Sequence, residues 1–216
     1  MNSRKIIENT ILFVKESLKN SEGGHDWFHV ERVYNISINI ANKENADLFV
    51  VALGALLHDI ADSKFHGGDE NIGPKKAASF LKEQQVADEI IQHVVKIIKN
   101  ISFKGGNFSQ RFRSLELDCI QDADRVDAIG AIGIARCFSY GGFKNRSLYD
   151  PEIKPNVSMT KEEYKKSTAP SINHFHEKLL LLKDKMNTAA GKEIALERHV
   201  FMQNFLEQFY KEWEGK

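Results

Sequence analysis

Apolar residues recur at helical spacing through most of the chain. Ile6, Ile7, Ile11, Val14 and Leu18 follow a period near 3.6 and predict an amphipathic helix over residues 3–19, with Ser3 as its cap. Gly23-Gly24 breaks that pattern. A second helix is expected from Asp26, whose carboxylate suits the cap position, to about residue 42. A third, almost wholly apolar, covers 46–60. Gly67-Gly68 lies in a polar loop at 62–73, and Pro74 fits the first turn of a fourth helix running to 84. A fifth covers 86–100, followed by a loop at Gly105-Gly106. The longest apolar-periodic stretch, 114–138, predicts one central buried helix ended by Gly141-Gly142, although it carries Asp118, Asp122, Asp124 and Asp127. Residues 151–158 form a loop with two prolines, and two long helices are expected at 161–186 and 189–213. Period-2 alternation never persists, so the pattern predicts an all-α fold, a single helical bundle spanning 1–216.

Composition narrows the function classes. Thirty basic residues balance thirty acidic ones over 216 residues, which argues against a nucleic-acid partner. The longest apolar runs fall short of the ~18 residues that a membrane span needs. Residues 1–5 lack a signal peptide's apolar core, and a cytoplasmic location is expected. Cys119 and Cys137 lie inside apolar helical pattern and read as reduced core residues.

The candidate chemistry gathers around His58-Asp59 at the end of the third helix. Helix neighbours point about 100° apart, but the two can still converge on an atom beyond the helix end. An imidazole beside a carboxylate at the mouth of an apolar core suggests a metal ion. Groups of the same kind occur in His25-Asp26-Trp27-Phe28-His29 and in Asp124 with Asp127. A His-x3-His pair on a helix can bind zinc, but Asp26 stands where a metalloprotease helix has its glutamate.

His29-x-x-Arg32-Val33, His58-Asp59 at a helix end and Asp124 on a later helix together resemble the metal-dependent HD-domain phosphohydrolase superfamily. The resemblance is closer to a bacterial subgroup of this length. It rests on Gly24 to Trp27, on His58-Asp59-Ile60-Ala61-Asp62-Ser63-Lys64-Phe65 with Gly67-Gly68, and on Asp122 to Gly130. Asn173-His174-Phe175 and Glu177-Lys178-Leu179 extend it across nearly the whole chain.

That resemblance implies a single divalent metal held by His29, His58, Asp59 and Asp124, with manganese preferred and iron, nickel or magnesium as alternatives. Two imidazoles and two carboxylates without a thiolate suit such an ion better than structural zinc. Asp62 is the candidate catalytic acid or base and Lys64 the candidate phosphate cation; His25, Arg32, His174 and Lys178 are candidate substrate contacts. His93 is expected to be structural or to line a pocket, and Asp122 and Asp127 to be structural. The implied reaction is hydrolysis of (deoxy)nucleoside triphosphates to monophosphate and pyrophosphate, with a substrate-carried magnesium as a further participant. A nucleoside monophosphate phosphatase, a phosphodiesterase and a non-catalytic nucleotide sensor remain as alternatives. The expected partner is a small nucleotide, with no membrane or nucleic acid, and a homodimer is left open.

Overall fold

The computed structural model of the chain describes residues 2–19, 26–60, 71–101, 112–160, 163 and 166–216. The described residues contain helices and no strand, so the all-α expectation holds. The predicted loops at Gly67-Gly68 and Gly105-Gly106 lie outside them, as do His25, Asp62 and Lys64. The chain divides into two compact units, Met1–Asp124 and Arg125–Lys216.

The first unit is built around α3 (Leu48–Leu57), in which every residue from Val50 to Leu57 is buried. Asp47 starts this helix, accepting hydrogen bonds from Phe49 N (2.9 Å) and Val50 N (3.1 Å). Such a cap contributes about 1 kcal/mol by satisfying two amides that have no partner within the helix. Burying each valine or leucine of α3 contributes roughly 1.5–3 kcal/mol. Around α3 pack α1 (Ser3–Ser17), α2 (Trp27–Glu44) and α5 (Asp88–Asn100), and α4 (Ile72–Glu83) packs on α5. Asn2, not Ser3, caps α1, because its side chain accepts from Arg4 N. Asp26 caps α2 as expected, accepting from His29 N at 2.9 Å.

The predicted 114–138 helix is in fact two. The first, α6 (Leu115–Asp127), gives way to α7 (Gly130–Phe143). Between them Ala128 N and Ile129 N reach back only three residues, to Arg125 O and Val126 O. Gly130 then takes φ +75°, which favours glycine, and a Cβ there would lie 2.9 Å from Arg198 Cγ. The helix restarts and runs through Gly141-Gly142, which therefore do not end it.

In the second unit α7 packs against α8 (Ser171–Glu177) and α9 (Ala189–Trp213). The long helix expected at 161–186 is not formed: α8 has seven residues and passes into a 3-10 turn, Leu179–Lys185. Residues 167–170 are not helical, and Pro170, immediately before α8, disfavours helix at the residue preceding it, which explains the interruption there. A buried ion pair holds the α6–α7 turn. Asp127 is fully buried and its carboxylate accepts from Arg136 Nη1, while Arg198 Nη1 donates to Val126 O at 2.7 Å. Asp127 thus has the structural role expected of it.

Candidate metal centre

Helix ends bring the candidate donors together. His29 sits in the first turn of α2, fixed by the Asp26 cap, and its side chain is 3% exposed. His58 follows the last residue of α3 while keeping helical angles (φ −60°, ψ −35°), so its ring stays against the apolar wall of the bundle. Three residues earlier on the same helix, Ala55 presents its carbonyl, and His58 Nδ1 donates to it at 2.7 Å. That bond puts the proton on Nδ1 and leaves the Nε2 lone pair as an acceptor. Nε2 of His58 is buried and has no hydrogen-bond partner among the described residues. A buried polar atom left this way is costly unless something occupies the space in front of it.

Asp59 Oδ2 lies 3.7 Å from His58 Nε2 and 3.8 Å from His29 Nε2, and the rings of the two histidines meet edge to face at 5.5 Å. One donor atom from each of His29, His58 and Asp59 falls within 4.8 Å of the others. Two donors bound about 2.1 Å from one ion stand about 3.0 Å apart when adjacent and about 4.2 Å when opposite, so this spacing admits a cation between them. Among the described residues no other histidine, cysteine or carboxylate group of three or more has that geometry.

Asp124, on the last turns of α6, enters through His29, with Oδ1 at 3.5 Å from His29 Nε2. Its side chain is 40% exposed, compared with 23% for Asp59, so the side towards Asp124 is the open one. Two imidazoles and two carboxylates give a donor set that suits a divalent cation and contains no soft ligand.

The remaining candidates separate. Arg32 is half-buried on α2, one turn beyond His29. His174 and Lys178 belong to the second unit, four residues apart at the end of α8. His93 has a structural setting: Nε2 is 3.0 Å from Ser114 Oγ and 3.5 Å from Glu116 Oε2, with its ring edge-on to Phe112. Asp122 is fully buried. Both cysteines are free. Burial, then the carboxylates of Glu44, Asp122, Glu116 and Asp118, pushes the Cys119 thiol up to about 12. Burial raises Cys137 to about 11 against the opposing charge of Arg146.

Two contributors were not anticipated. The Ala55 carbonyl that orients His58 was readable in principle, because a residue three before a histidine on a helix faces the same way. Gly54 had no such signal; a Cβ on it would lie 2.7 Å from Ile120 Cδ1, so its absence lets α3 approach α6 closely.

Comparison with known proteins agrees with this geometry. Residues 27–129 match the HD domain family model. The chain is 37% identical to the Bacillus subtilis protein YpgQ, over all of this chain and 97% of YpgQ. It superposes on the crystal structure of an HD-superfamily hydrolase from Bacillus thuringiensis with TM-score 0.82 and 43% identity, each chain covered in full. The crystal structure of YpgQ in complex with ADP superposes with TM-score 0.76 and 33% identity over 98% of this chain and 97% of that one.

Proposed function

The chain belongs to the HD-domain phosphohydrolase superfamily, and from that premise we propose that it hydrolyses (deoxy)nucleoside triphosphates to monophosphate and pyrophosphate. The observation that carries the reading is the buried Nε2 of His58, oriented by Ala55 and facing Asp59 and His29. A nucleotide substrate is favoured because the related YpgQ has been crystallised with ADP.

In this reading His29, His58, Asp59 and Asp124 hold one divalent cation, manganese by preference. When bound, the cation would supply an acidified water and positive charge opposite the reacting phosphate. The protein does the rest. Ala55 keeps the His58 lone pair aimed outward, and the Asp26 cap fixes the start of α2 so that His29 points the same way. Asp62, three residues past Asp59, takes the proton of the attacking water, and Lys64 meets a phosphate oxygen. His25 and Arg32, on either side of His29, contact the substrate. With two aspartates already balancing the cation, the β and γ phosphates need further positive charge, from basic side chains or from magnesium carried by the substrate.

The test is a nucleotide panel with manganese, with pyrophosphate and phosphate assayed separately. Pyrophosphate from triphosphates, abolished in Asp59→Ala, supports the proposal. Phosphate from monophosphates would replace it with a nucleotidase. Absence of turnover, with a nucleotide still raising Tm, would make the protein a sensor.

A further inference from the structure

We propose that the groove between α1 and α4 in the first unit binds a nucleoside monophosphate, with Lys75 and Lys76 on its phosphate. The inference stands on these two helices alone and does not depend on the proposed hydrolysis.

The register of the two helices creates the groove. They run antiparallel, and each step of four residues along α1 meets a step of four back along α4. Asn9 Nδ2 donates to Gln84 Oε1 at 2.6 Å. One turn on, the rings of Phe13 and Phe80 stack with centroids 4.2 Å apart and planes at 9°. One turn further, Ser17 and Lys76 hold the corresponding places, and there the helices are not bridged by side-chain bonds among the described residues. A cavity of about 360 Å³ opens beside the ring pair, and Ser17, Ser79, Lys75, Lys76 and Glu83 complete its lining. That volume suits a small ligand.

The polar groups around the cavity are unengaged. Among the described residues the ammonium groups of Lys75 and Lys76 and the carboxylate of Glu83 form no ion pair, and the hydroxyls of Ser17 and Ser79 make no hydrogen bond. Helix hydroxyls commonly turn back onto the carbonyl one turn earlier, as Thr10 Oγ1 does to Ile6 O at 2.7 Å on α1. Ser17 and Ser79 keep their donors for a ligand instead.

The layout selects that ligand. Lys75 and Lys76 are adjacent and exposed, and Ser79 follows Lys75 by one turn, so two cations and a hydroxyl serve one anion. Two like charges side by side favour a dianion, and ammonium–phosphate hydrogen bonds are charge-assisted. The stacked phenylalanines give an apolar wall for a flat ring. Glu83 lies on the same face seven residues past Lys76, about 10 Å along the axis. Its carboxylate accepts from amino or hydroxyl groups and repels further phosphates. A dianion at one end, a flat ring in the middle and N–H or O–H donors at the other describe a nucleoside monophosphate.

The experiment is an NMR titration of the full, metal-free chain with AMP in EDTA, where metal-dependent turnover does not intervene. Saturable shifts are expected at the amides of Ser17, Lys75, Lys76 and Ser79. The Lys75→Gln/Lys76→Gln double variant, altered only at exposed positions, should weaken this binding about 10-fold or more. Lys82→Gln removes the same charge from α4 outside the groove and should leave binding unchanged. Inorganic phosphate, which lacks the ring, should bind more weakly than AMP by about 10-fold. The site is overturned if AMP gives no saturable shift at those amides or if the double variant binds it as wild type does. Equal weakening by Lys82→Gln, or inorganic phosphate binding as tightly as AMP, would overturn it as well.

Discussion

Substituting Gly54 by alanine tests how closely the helices that carry the metal groups must approach. Gly54 precedes His58 by four residues on α3, and Ile120 precedes Asp124 by four on α6. A Cβ at Gly54 would lie 2.7 Å from Ile120 Cδ1 and 3.3 Å from Ile97 Cγ2. Both isoleucines are fully buried, so the displaced methyl has only packed core to enter. Overpacking of this kind costs about 1–3 kcal/mol. Alanine in place of glycine inside a helix returns about 1 kcal/mol. The single variant is therefore destabilised by roughly 0–2 kcal/mol, and the double-mutant cycle with Ile120→Val is more decisive. Ile120→Val deletes the clashing methyl and costs about 1 kcal/mol in the wild-type background. In the Gly54→Ala background the same deletion relieves the clash, so the double variant should be more stable than additivity predicts by about 1–2 kcal/mol. Urea unfolding of the four proteins in EDTA gives the cycle, provided their m-values agree. Equilibrium dialysis against manganese gives the functional readout. Pushing α3 from α6 separates His58 and Asp59 from Asp124, so Gly54→Ala should weaken binding and Ile120→Val should restore it. Additive energies with unchanged metal affinity would refute the reasoning.

Asp127→Asn should destabilise the protein by about 3 kcal/mol, the lower end for a broken buried ion pair, because Arg136 is 32% exposed and water can reach it. A loss below ~1 kcal/mol in urea unfolding would show that the pair does not hold the α6–α7 turn. His174 supplies a pH test. Its folded pKa of about 4 lies below the unfolded value of 6.5, so the unfolded chain binds the extra proton first. Stability from this group is complete above the unfolded pKa and falls by at most roughly 3 kcal/mol as pH drops from 6.5 through 4. His174→Asn should flatten that slope, and an unchanged slope would place the titration elsewhere. At pH 8 the native thiols, raised to about 12 and 11, should react with a disulfide reagent at least ~100-fold more slowly than a free thiol. Rapid labelling of either cysteine before unfolding would contradict this.

How much of this could be read from the sequence depends on what each feature requires. The apolar run ending in His58-Asp59 was legible because burial on all sides of α3 needs no tertiary knowledge. The start of α2 was legible too, since an aspartate three before His29 is a local cap. The break between α6 and α7 was not, because apolar spacing continues across residues 126–134 while the backbone turns at Gly130. The lack of a side chain at Gly130 was the available signal, and its meaning depends on Arg198, far along the chain on α9. Pro170 was a readable stop, but Ile172, Phe175 and Leu179 keep a helical period after it and masked the change to a 3-10 turn. Of the candidate metal donors, His29, His58 and Asp59 follow from the resemblance to the HD-domain superfamily, and one ligand atom of each lies within 4.8 Å of the others.

The most direct test of the metal centre is crystallographic: diffraction from manganese-soaked crystals measured at the manganese absorption edge. One anomalous peak is expected, bounded by His29 Nε2, His58 Nε2 and the carboxylates of Asp59 and Asp124, each at about 2.1–2.3 Å. A peak that leaves out either histidine, or no peak there when manganese binds elsewhere on the protein, would contradict it.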